Sequence, residues 1–234
     1  MKYEKEESKN KSNNEKEKKI LVTGGSGFIG NSLLKNLIYK KNLMGYPYHL
    51  RCLTRNKKSI TSLKNNENDI EIVEGDILNY NDCLRALDNI DVAYYLVHSM
   101  EGSTKNWKKF SEKEKASAEN FMRASTECGI KRIIYLGGLT YGEDDKVSQH
   151  MLSRKHVGEI LVKSNAKVTI FRAAVILGSG GSSFEMLRYL VERLAIMICP
   201  KWVMSKCQPI FIGDVINYLS QSIEIEETVG KEYD

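Results

Sequence analysis

The stretch Thr23-Gly24-Gly25-Ser26-Gly27-Phe28-Ile29-Gly30 decides the fold of this chain. It satisfies G-x-G-x-x-G with Gly25, Gly27 and Gly30, and also G-x-x-G-x-x-G beginning at Gly24. Glycines at these intervals permit a tight turn, a close approach of the backbone to a pyrophosphate, and close packing of a helix on a strand. The next helix offers free N–H groups and its positive dipole end to the phosphates. We therefore predict that the residues from Gly24 to Gly30 bind a dinucleotide.

One short apolar run precedes this glycine turn, and after it further apolar runs, typical of buried strands, alternate with amphipathic stretches, typical of helices. Strands are predicted at residues 19–23, 48–54, 70–74, 91–97, 132–136, 167–171 and 209–212. Helices are predicted at residues 31–41, 82–87, 107–128, 153–164, 184–198 and 214–223. Strands that alternate with helices imply right-handed βαβ crossovers. We predict one α/β domain at residues 19–234, with the doubly wound, mostly parallel sheet of an NAD(P)-binding Rossmann fold.

The composition excludes several classes of protein and indicates the cellular compartment. Residues 1–18 are polar and rich in Lys and Glu, which predicts a disordered tail and not a secretory signal. The longest apolar run, Leu194–Cys199, falls far short of the ~20 residues that span a bilayer. The five cysteines form an odd set without a C-x-x-C pair, which argues against a zinc site and a disulfide framework. We expect no metal and a cytoplasmic location.

The net charge of +5 comes from one segment of the chain. Ten basic residues and no Asp or Glu lie between Lys18 and Asn66, whereas all 30 acidic residues lie outside this segment. A nucleic-acid binder would add interleaved aromatic residues or a recognition-helix pattern, and neither is present. The segment includes the glycine turn, so we predict a small polyanion as the partner and not a nucleic acid.

The end of the second predicted strand indicates which dinucleotide binds. A carboxylate there would bind the 2′-hydroxyl of NAD, whereas a basic side chain suits the 2′-phosphate of NADP. The sequence reads Cys52-Leu-Thr-Arg55-Asn-Lys-Lys58, without a carboxylate. Arg55 can pair with a phosphate through two hydrogen bonds, and Lys57 or Lys58 can add a point charge. We predict NADP(H) in preference to NAD(H); the alternative is a solvated basic turn.

Together these motifs resemble the short-chain dehydrogenase/reductase superfamily, in its extended and atypical branches. The chain looks closest to the NmrA-like, NAD(P)H-binding, epimerase/dehydratase-type subgroup, from residue 19 to about residue 230. Besides the glycine turn, the resemblance is carried by E-G-D-I-L at Glu74–Leu78, Y-L-V-H-S-M at Tyr95–Met100, R-I-I-Y-L-G-G-L at Arg132–Leu139, S-R-K-H-V-G-E-I-L at Ser153–Leu161, F-R-A-A-V-I-L-G at Phe171–Gly178 and Q-P-I-F-I-G-D-V at Gln208–Val215.

The resemblance implies further cofactor contacts at the adenine and pyrophosphate. Asp76 and Ile77 would frame the adenine, with Asp76 accepting a hydrogen bond from its amino group. Leu96, Val97 and His98 would pass beside the pyrophosphate and the nearer ribose.

At the nicotinamide end, the resemblance assigns contacts to two segments. Lys155 matches the lysine that hydrogen-bonds the nicotinamide ribose and lowers the pKa of the proton donor. The segment Ala174–Leu177, with Val175, would lie against the nicotinamide.

The chain departs from the family at the groups that transfer protons. The family's reductases use a Tyr four residues before the Lys as general acid/base, and Met151 stands there. They use a Ser or Thr just after the fifth strand, and Gly137 or Gly138 stands there. A thioether and a glycine cannot transfer a proton.

Two other side chains could supply the missing proton. His98 ends the fourth strand at the edge of the sheet where ligands bind, and the ordinary pKa of histidine suits proton transfer. Its other interpretation is donation to a backbone carbonyl or a cofactor phosphate. Tyr141 lies in the loop after the fifth strand and could swing over the nicotinamide. The candidate catalytic residues are therefore Lys155, His98 and Tyr141, with water as an alternative proton source.

We expect an NADP(H)-dependent oxidoreductase or epimerase-type enzyme that transfers a hydride to or from a small carbonyl, hydroxyl or sugar-nucleotide substrate. The alternative is a non-catalytic NADP(H)-sensing regulator that acts through a protein partner, since the usual proton-transfer pair is missing. A homodimer also fits either hypothesis. The family's later C-terminal elements, which complete its substrate pocket, are expected beyond Asp234, so the chain is either a short member or a truncated one.

Overall fold

The computed structural model describes residues 17–61, 63, 69–98, 107–140, 147–194 and 207–234, and strands alternate with helices along them. The strands are β1 (Lys18–Thr23), β2 (Tyr48–Thr54), β3 (Glu71–Glu74), β4 (Val92–Tyr95), β5 (Arg132–Gly138), β6 (Lys167–Ala173), β7 (Ile176–Leu177), β8 (Ile210–Phe211) and β9 (Glu232–Tyr233). The helices are α1 (Phe28–Met44), α2 (Lys58–Thr61), α3 (Tyr80–Leu87), α4 (Trp107–Glu127), α5 (Gln149–Leu161), α6 (Ser182–Arg193) and α7 (Ile212–Ser222), and a 3₁₀ turn follows at Glu226–Thr228.

Among the described residues, seven strands form one sheet in the order β3-β2-β1-β4-β5-β6-β9, and every pairing within it is parallel. The predicted doubly wound α/β fold is confirmed. Strand order runs one way from β1 through β2 to β3 and the other way from β4 onward. The carboxyl ends of β1 and β4 therefore flank the switch point, where ligands bind in open sheets of this kind.

Helices cover both faces of the sheet. Along β1, Leu21 enters a core that it shares with residues of α3, α4 and α5. Its neighbours Ile20 and Val22 enter the opposite core, with residues of α1 and α7. This arrangement explains why the strands read as nearly continuous apolar runs, since parallel strands are buried on both faces.

The structure differs from the sequence prediction mainly at three short strands, of which β7 lies in the segment predicted to contact the nicotinamide and was not predicted as a strand. β8 comprises only Ile210–Phe211 and pairs with β7 outside the main sheet, because Ile212 already begins α7. β9, at Glu232–Tyr233, has no counterpart in the sequence prediction and pairs with β6. Two-residue strands carry no alternation that a sequence pattern can reveal.

Other differences concern where elements begin and end. α5 begins at Gln149, four residues before the predicted start, because the side chain of Ser148 accepts a hydrogen bond from the N–H of Met151 (3.4 Å) and caps the helix. β1 begins at Lys18, which had been assigned to the tail; residues 1–16 lie outside the described residues. α6 ends at Arg193, and the predicted continuation at 195–198 also lies outside them.

A hydrogen-bonded cluster around Glu224 ties the C-terminal part of the chain to the first two strands. Its carboxylate accepts hydrogen bonds from Lys18 Nζ (2.6 Å) and Tyr48 Oη (2.7 Å). Burial opposes ionisation of this carboxyl, but the hydrogen bonds from Lys18 and Tyr48 outweigh it and lower its pKa from the ordinary value of 4.5. Because the pKa is lowered on folding, the cluster stabilises the fold above about pH 4.5.

We expect Glu224→Gln to lower the free energy of unfolding by about 1 kcal/mol at pH 7, a modest value because the ion pair is partly exposed. The difference from wild type should shrink as the pH falls through the lowered pKa, where the wild-type carboxyl also becomes neutral. Urea denaturation of both proteins at pH 7 and below pH 4 measures the loss of unfolding free energy and its dependence on pH. Glu159→Gln, at an exposed position of α5, is the control. A loss that is equal at both pH values would contradict the role of the Glu224 charge.

Candidate functional site

The glycine turn lies at the switch point and touches the chain that leaves β4. Gly24 has a φ of +70°, and a Cβ placed on it would lie 2.5 Å from the carbonyl oxygen of Leu96 and 3.1 Å from the nitrogen of Val97. A Cβ on Gly30 would collide with the backbone of Gly24, so helix α1 packs closely on the turn. Leu96 and Val97 therefore lie beside the turn.

Thr23 joins the ends of β1 and β4, a role that the sequence analysis missed. Its hydroxyl donates to the carbonyl oxygen of Tyr94 (2.9 Å) and accepts from the N–H of Leu96 (3.2 Å), in a fully buried position. These two hydrogen bonds hold the ends of β1 and β4 together at the switch point. A polar residue that closes an apolar strand just before the first glycine was the available signal.

The turn also leaves a helix N-terminus open. Gly27 is the N-cap of α1, without a side-chain capping bond, and the first turn of the helix contains no acidic residue. The N–H of Gly27 donates to the carbonyl oxygen of Gly24 (2.9 Å), which closes the turn. Ser26 and Gly27 are exposed, and Phe28 and Ile29 are partly buried. Uncapped N–H groups and a positive dipole end suit a pyrophosphate.

The loop that follows β7 lies against the same turn. Cβ atoms placed on Gly178 and Gly181 would lie 3.0 and 2.9 Å from ring atoms of Phe28, so the ring covers this loop. Ala174 and Val175 connect β6 to β7, and Val175 accepts a hydrogen bond from the N–H of Ile210 (3.0 Å). The segment predicted to contact the nicotinamide therefore leaves the sheet at the same edge as the glycine turn.

The basic residues after β2 lie on the other side of the turn. Thr23 pairs in register with Leu53, so β1 and β2 end together, and Arg55 comes two residues later. A Cβ on Gly25 would lie 2.5 Å from Cys52 Sγ, which shows how closely β2 packs against the turn. Arg55 and Lys58 are exposed, and Lys58 begins α2. The structure thus brings these two cations to the edge where the glycine turn opens.

Of the two residues predicted to frame the adenine, Asp76 is partly exposed and Ile77 is buried. The N–H of Gly75 donates to the carbonyl oxygen of Thr54 (3.0 Å), which keeps the end of β3 beside β2. Asp76 Oδ1 accepts from the N–H of Leu78 (3.0 Å), and the residue is partly exposed. The Ile77 side chain is 7% exposed and belongs to the core.

His98 is not suited to donate a proton. Burial, together with the positive charge of Arg154, lowers its pKa to about 3, although the ring is hydrogen-bonded to the backbone carbonyl of Leu136. The imidazole is therefore neutral near pH 7, and a neutral imidazole is a poor acid. The geometry favours the other interpretation of His98, donation to a backbone carbonyl.

Met151 and Gly138 face each other at the carboxyl end of β5. A Cβ on Gly138 would lie 2.7 Å from Met151 Sδ, whereas one on Gly137 would approach the Tyr135 ring at 3.1 Å. Gly138 is thus the glycine that stands opposite the position of the family's tyrosine. Lys155 is exposed one helical turn after Met151, so the two share a face of α5. Tyr141 lies outside the described residues.

No group of three or more His, Cys, Asp or Glu side chains in the described ranges is arranged to hold a metal ion. None of the helices in those ranges combines the length and the apolar character needed to cross a bilayer.

Relatives of known sequence match about half of the chain. The chain is 25% identical over 123 residues to a 3 beta-hydroxysteroid dehydrogenase/Delta 5-->4-isomerase of Mycobacterium tuberculosis, an alignment that covers 50% of this chain and 30% of that protein. It is 26% identical over 132 residues to the Auxiliary protein GraX of Staphylococcus aureus, covering 54% of this chain and 38% of GraX. The chain therefore spans well under half the length of these curated relatives.

Solved structures share the fold over nearly the whole chain. UDP-glucuronic acid 4-epimerase from Bacillus cereus, in complex with NAD, superposes with a TM-score of 0.73 at 20% identity, over 92% of this chain and 76% of that one. DesIV, a dTDP-glucose 4,6-dehydratase from Streptomyces venezuelae with NAD and TYD bound, gives 0.73 at 16% identity, over 92% and 74%. At these identities the likeness shows the fold.

The family of this chain is shown by a family model whose match includes the candidate site. The family model described as NAD(P)H-binding matches residues 24–180, from the first glycine of the turn to the loop covered by Phe28. This confirms the suspected NAD(P)H-binding family, and the Rossmann-like sheet is the fold that the chain shares with the epimerase and dehydratase structures. The chain belongs to the NAD(P)H-binding family.

Proposed function

We propose that the protein binds NADP(H) and is an oxidoreductase or epimerase-type enzyme for a small carbonyl, hydroxyl or sugar-nucleotide substrate. The observation that carries this proposal is the open N-terminus of α1 at the switch point, where Gly24 meets the backbone of Leu96 and Val97. NADP(H), when bound, supplies or accepts a hydride.

The residues around the switch point would each hold a different part of the dinucleotide. The glycine turn would bind the pyrophosphate, and Arg55 with Lys58 would bind the 2′-phosphate. Asp76 would accept a hydrogen bond from the adenine, and Lys155 would bind the nicotinamide ribose. The substrate would then lie over the carboxyl ends of β4, β5 and β6.

Proton transfer is the step for which this chain lacks the family's residues. His98 is neutral, and its contact with the Leu136 carbonyl orients the ring without giving a proton to the substrate. Met151 and Gly138 have no exchangeable side-chain proton. We assign proton delivery to Tyr141 or to water.

The proposal is tested by binding first and turnover second. NADPH and NADH are titrated by fluorescence, and NADPH oxidation is then followed with a panel of aldehydes, ketones and sugar nucleotides. Saturable NADPH binding with oxidation by at least one class of compound is expected. Absence of binding would overturn the cofactor assignment, and binding without oxidation by any compound would overturn the assignment as an enzyme.

The preference for NADP(H) predicts the effect of a charge reversal. We expect Arg55→Asp to weaken NADPH binding about 10- to 100-fold, because a carboxylate would replace a charge-assisted partner of the 2′-phosphate. NADH binding should change less than threefold by the same reasoning. Lys35→Asp reverses the same charge at an exposed position of α1 and is the control. Equal losses for the two cofactors would refute the role of Arg55.

A second candidate function is a regulator that senses NADP(H) without catalysis and acts through a protein partner or a homodimer. The contact between Met151 and Gly138 favours it, since that pair replaces the residues that transfer protons. The similarity to a protein described as auxiliary also supports it. Tight NADPH binding without turnover, and a partner whose association depends on NADPH, would support this function.

We also place the protein in the cytoplasm. The cysteines that the structure describes, Cys52, Cys83, Cys128 and Cys207, are free thiols, as is usual in a reducing compartment. Fractionation of cells that express the full chain tests the location.

A further inference from the structure

Arg154 occupies an unexpected place at the carboxyl end of β5. It follows Met151 by three residues on α5, so both side chains share one face of the helix. A Cβ on Gly138 would lie 3.1 Å from Arg154 Cδ, next to the Met151 thioether. Tyr135 Oη donates to the backbone carbonyl of Arg154 (2.9 Å), which fixes this turn of the helix over the sheet. A guanidinium stem therefore packs where the resembling family places the Ser or Thr that holds the substrate oxygen.

The hydrogen-bonding capacity of this guanidinium is incompletely used. Within the part of the chain that the structure describes, Arg154 Nε is buried and has no hydrogen-bond partner. Buried donors are almost always satisfied, so an unsatisfied one calls for a ligand or a water molecule. The neighbouring buried carboxylate, Glu114, accepts its hydrogen bond from Ser153 Oγ (2.5 Å) instead. The residue as a whole is only partly buried, so a ligand can reach it.

Two histidine rings near Arg154 stay neutral while Arg154 is charged. Burial and the Arg154 charge together lower the pKa of His98, at the end of β4, and of His150, at the start of α5. Both rings are therefore neutral near pH 7. The charge of Glu114 raises the pKa of His150, but burial and the charge of Arg154 outweigh it. The site presents a permanent positive charge beside two neutral imidazoles.

We propose that Arg154 binds an anionic group of the substrate, a carboxylate or a phosphate, at the carboxyl end of β5. This inference rests on the proposed function, since the same edge would hold the nicotinamide. Arginine suits the task because its planar fork matches both groups and its charge does not titrate. It cannot act as the proton donor for the same reason. The substrates are thus anionic carbonyl or hydroxyl compounds.

Matched pairs of probes test the charge and its chemical source. Acetoacetate is compared with methyl acetoacetate, and dihydroxyacetone phosphate with dihydroxyacetone, by calorimetric titration of the NADPH complex. We expect wild type to bind at least one anion about tenfold or more tightly than its neutral partner. Arg154→Ala should reduce that preference to below threefold, and Arg154→Lys should retain part of it. Lys163→Ala, just beyond the end of α5, removes the same charge elsewhere and should leave the preference unchanged.

The outcomes separate this inference from the proposed function. A wild type without preference in either pair, or an Arg154→Ala variant that is folded by circular dichroism and keeps the preference, would overturn the anion site. A preference in one pair identifies carboxylate or phosphate as the group. The titration needs no turnover, so an NADPH complex that binds the anion but oxidises nothing would refute the enzyme and leave the anion site standing. If NADPH does not bind, the same titrations on the free protein decide the role of Arg154.

Discussion

Gly24→Ala should lower the free energy of unfolding by about 2–4 kcal/mol, a large effect for a single methyl group. Two causes act together. The φ of +70° disfavours any residue with a Cβ, and the added atom would lie 2.5 Å from the carbonyl oxygen of Leu96, a backbone atom that cannot turn aside. Urea denaturation followed by circular dichroism measures the loss.

Gly27→Ala is the matched variant and should act on the cofactor and not on the fold. Gly27 has a φ of −78°, which alanine adopts without strain, and its added Cβ would have Gly24 O at 3.3 Å as its nearest neighbour. We expect a change in stability within about 1 kcal/mol. The methyl group would, however, stand where the pyrophosphate approaches the backbone, so NADPH affinity should fall about 100-fold or more.

The two variants together decide what the glycine turn is for. If Gly27→Ala binds NADPH as tightly as wild type, the turn does not receive the pyrophosphate, and its glycines serve packing alone. If Gly24→Ala proves as stable as wild type, the close approach of Gly24 to the end of β4 is not required by the fold. Fluorescence titration at a temperature where both variants are folded keeps the two readouts separate.

The sequence pattern predicts those parts of the fold that have a periodic signal. β1, β2 and β5 are long, apolar and bounded by turn residues, and each is found within two residues of its predicted bounds. β8 and β9 are too short for any pattern, and they depend on the backbone of β7 and β6 for their hydrogen bonds. The start of α5 depends on a cap by Ser148, which is a local side-chain bond and not a periodic feature.

The basic segment between Lys18 and Asn66 shows what a count of charges can predict about a binding site and what it cannot. Lys18 pairs with Glu224 at the amino end of β1, and Arg51 pairs with Glu71 within the sheet (2.9 Å), so neither serves the cofactor edge. Arg55 and Lys58 remain at that edge. A sequence cannot distinguish these uses, because the partners Glu224 and Glu71 are distant in the chain. The burial of the Ile77 side chain and the place of Arg154 depend on tertiary packing in the same way.

Restoring the proton-transfer pair is expected to have the largest effect on activity. The variant Gly138→Ser with Met151→Tyr should raise the rate of NADPH oxidation by small carbonyl compounds about 10²- to 10⁴-fold, the usual contribution of a positioned general acid. The two positions already face each other, since a Cβ on Gly138 would lie 2.7 Å from Met151 Sδ, and Lys155 follows one turn later. Replacing the thioether removes the atom that would crowd the new hydroxyl.

The controls distinguish the effect of the added proton donor from the effect of the changed packing. Gly138→Ser alone leaves the hydroxyl against a thioether, and Gly138→Ser with Met151→Phe supplies the ring without its O–H, so neither should gain activity. All variants are first checked for NADPH binding and for thermal unfolding. If the Ser and Tyr variant is folded, binds NADPH and is no faster than wild type, then proton delivery is not what this site lacks. The positions of Met151 and Gly138 would in that case favour the regulator, in which NADP(H) is a signal bound by the sheet and not a reactant.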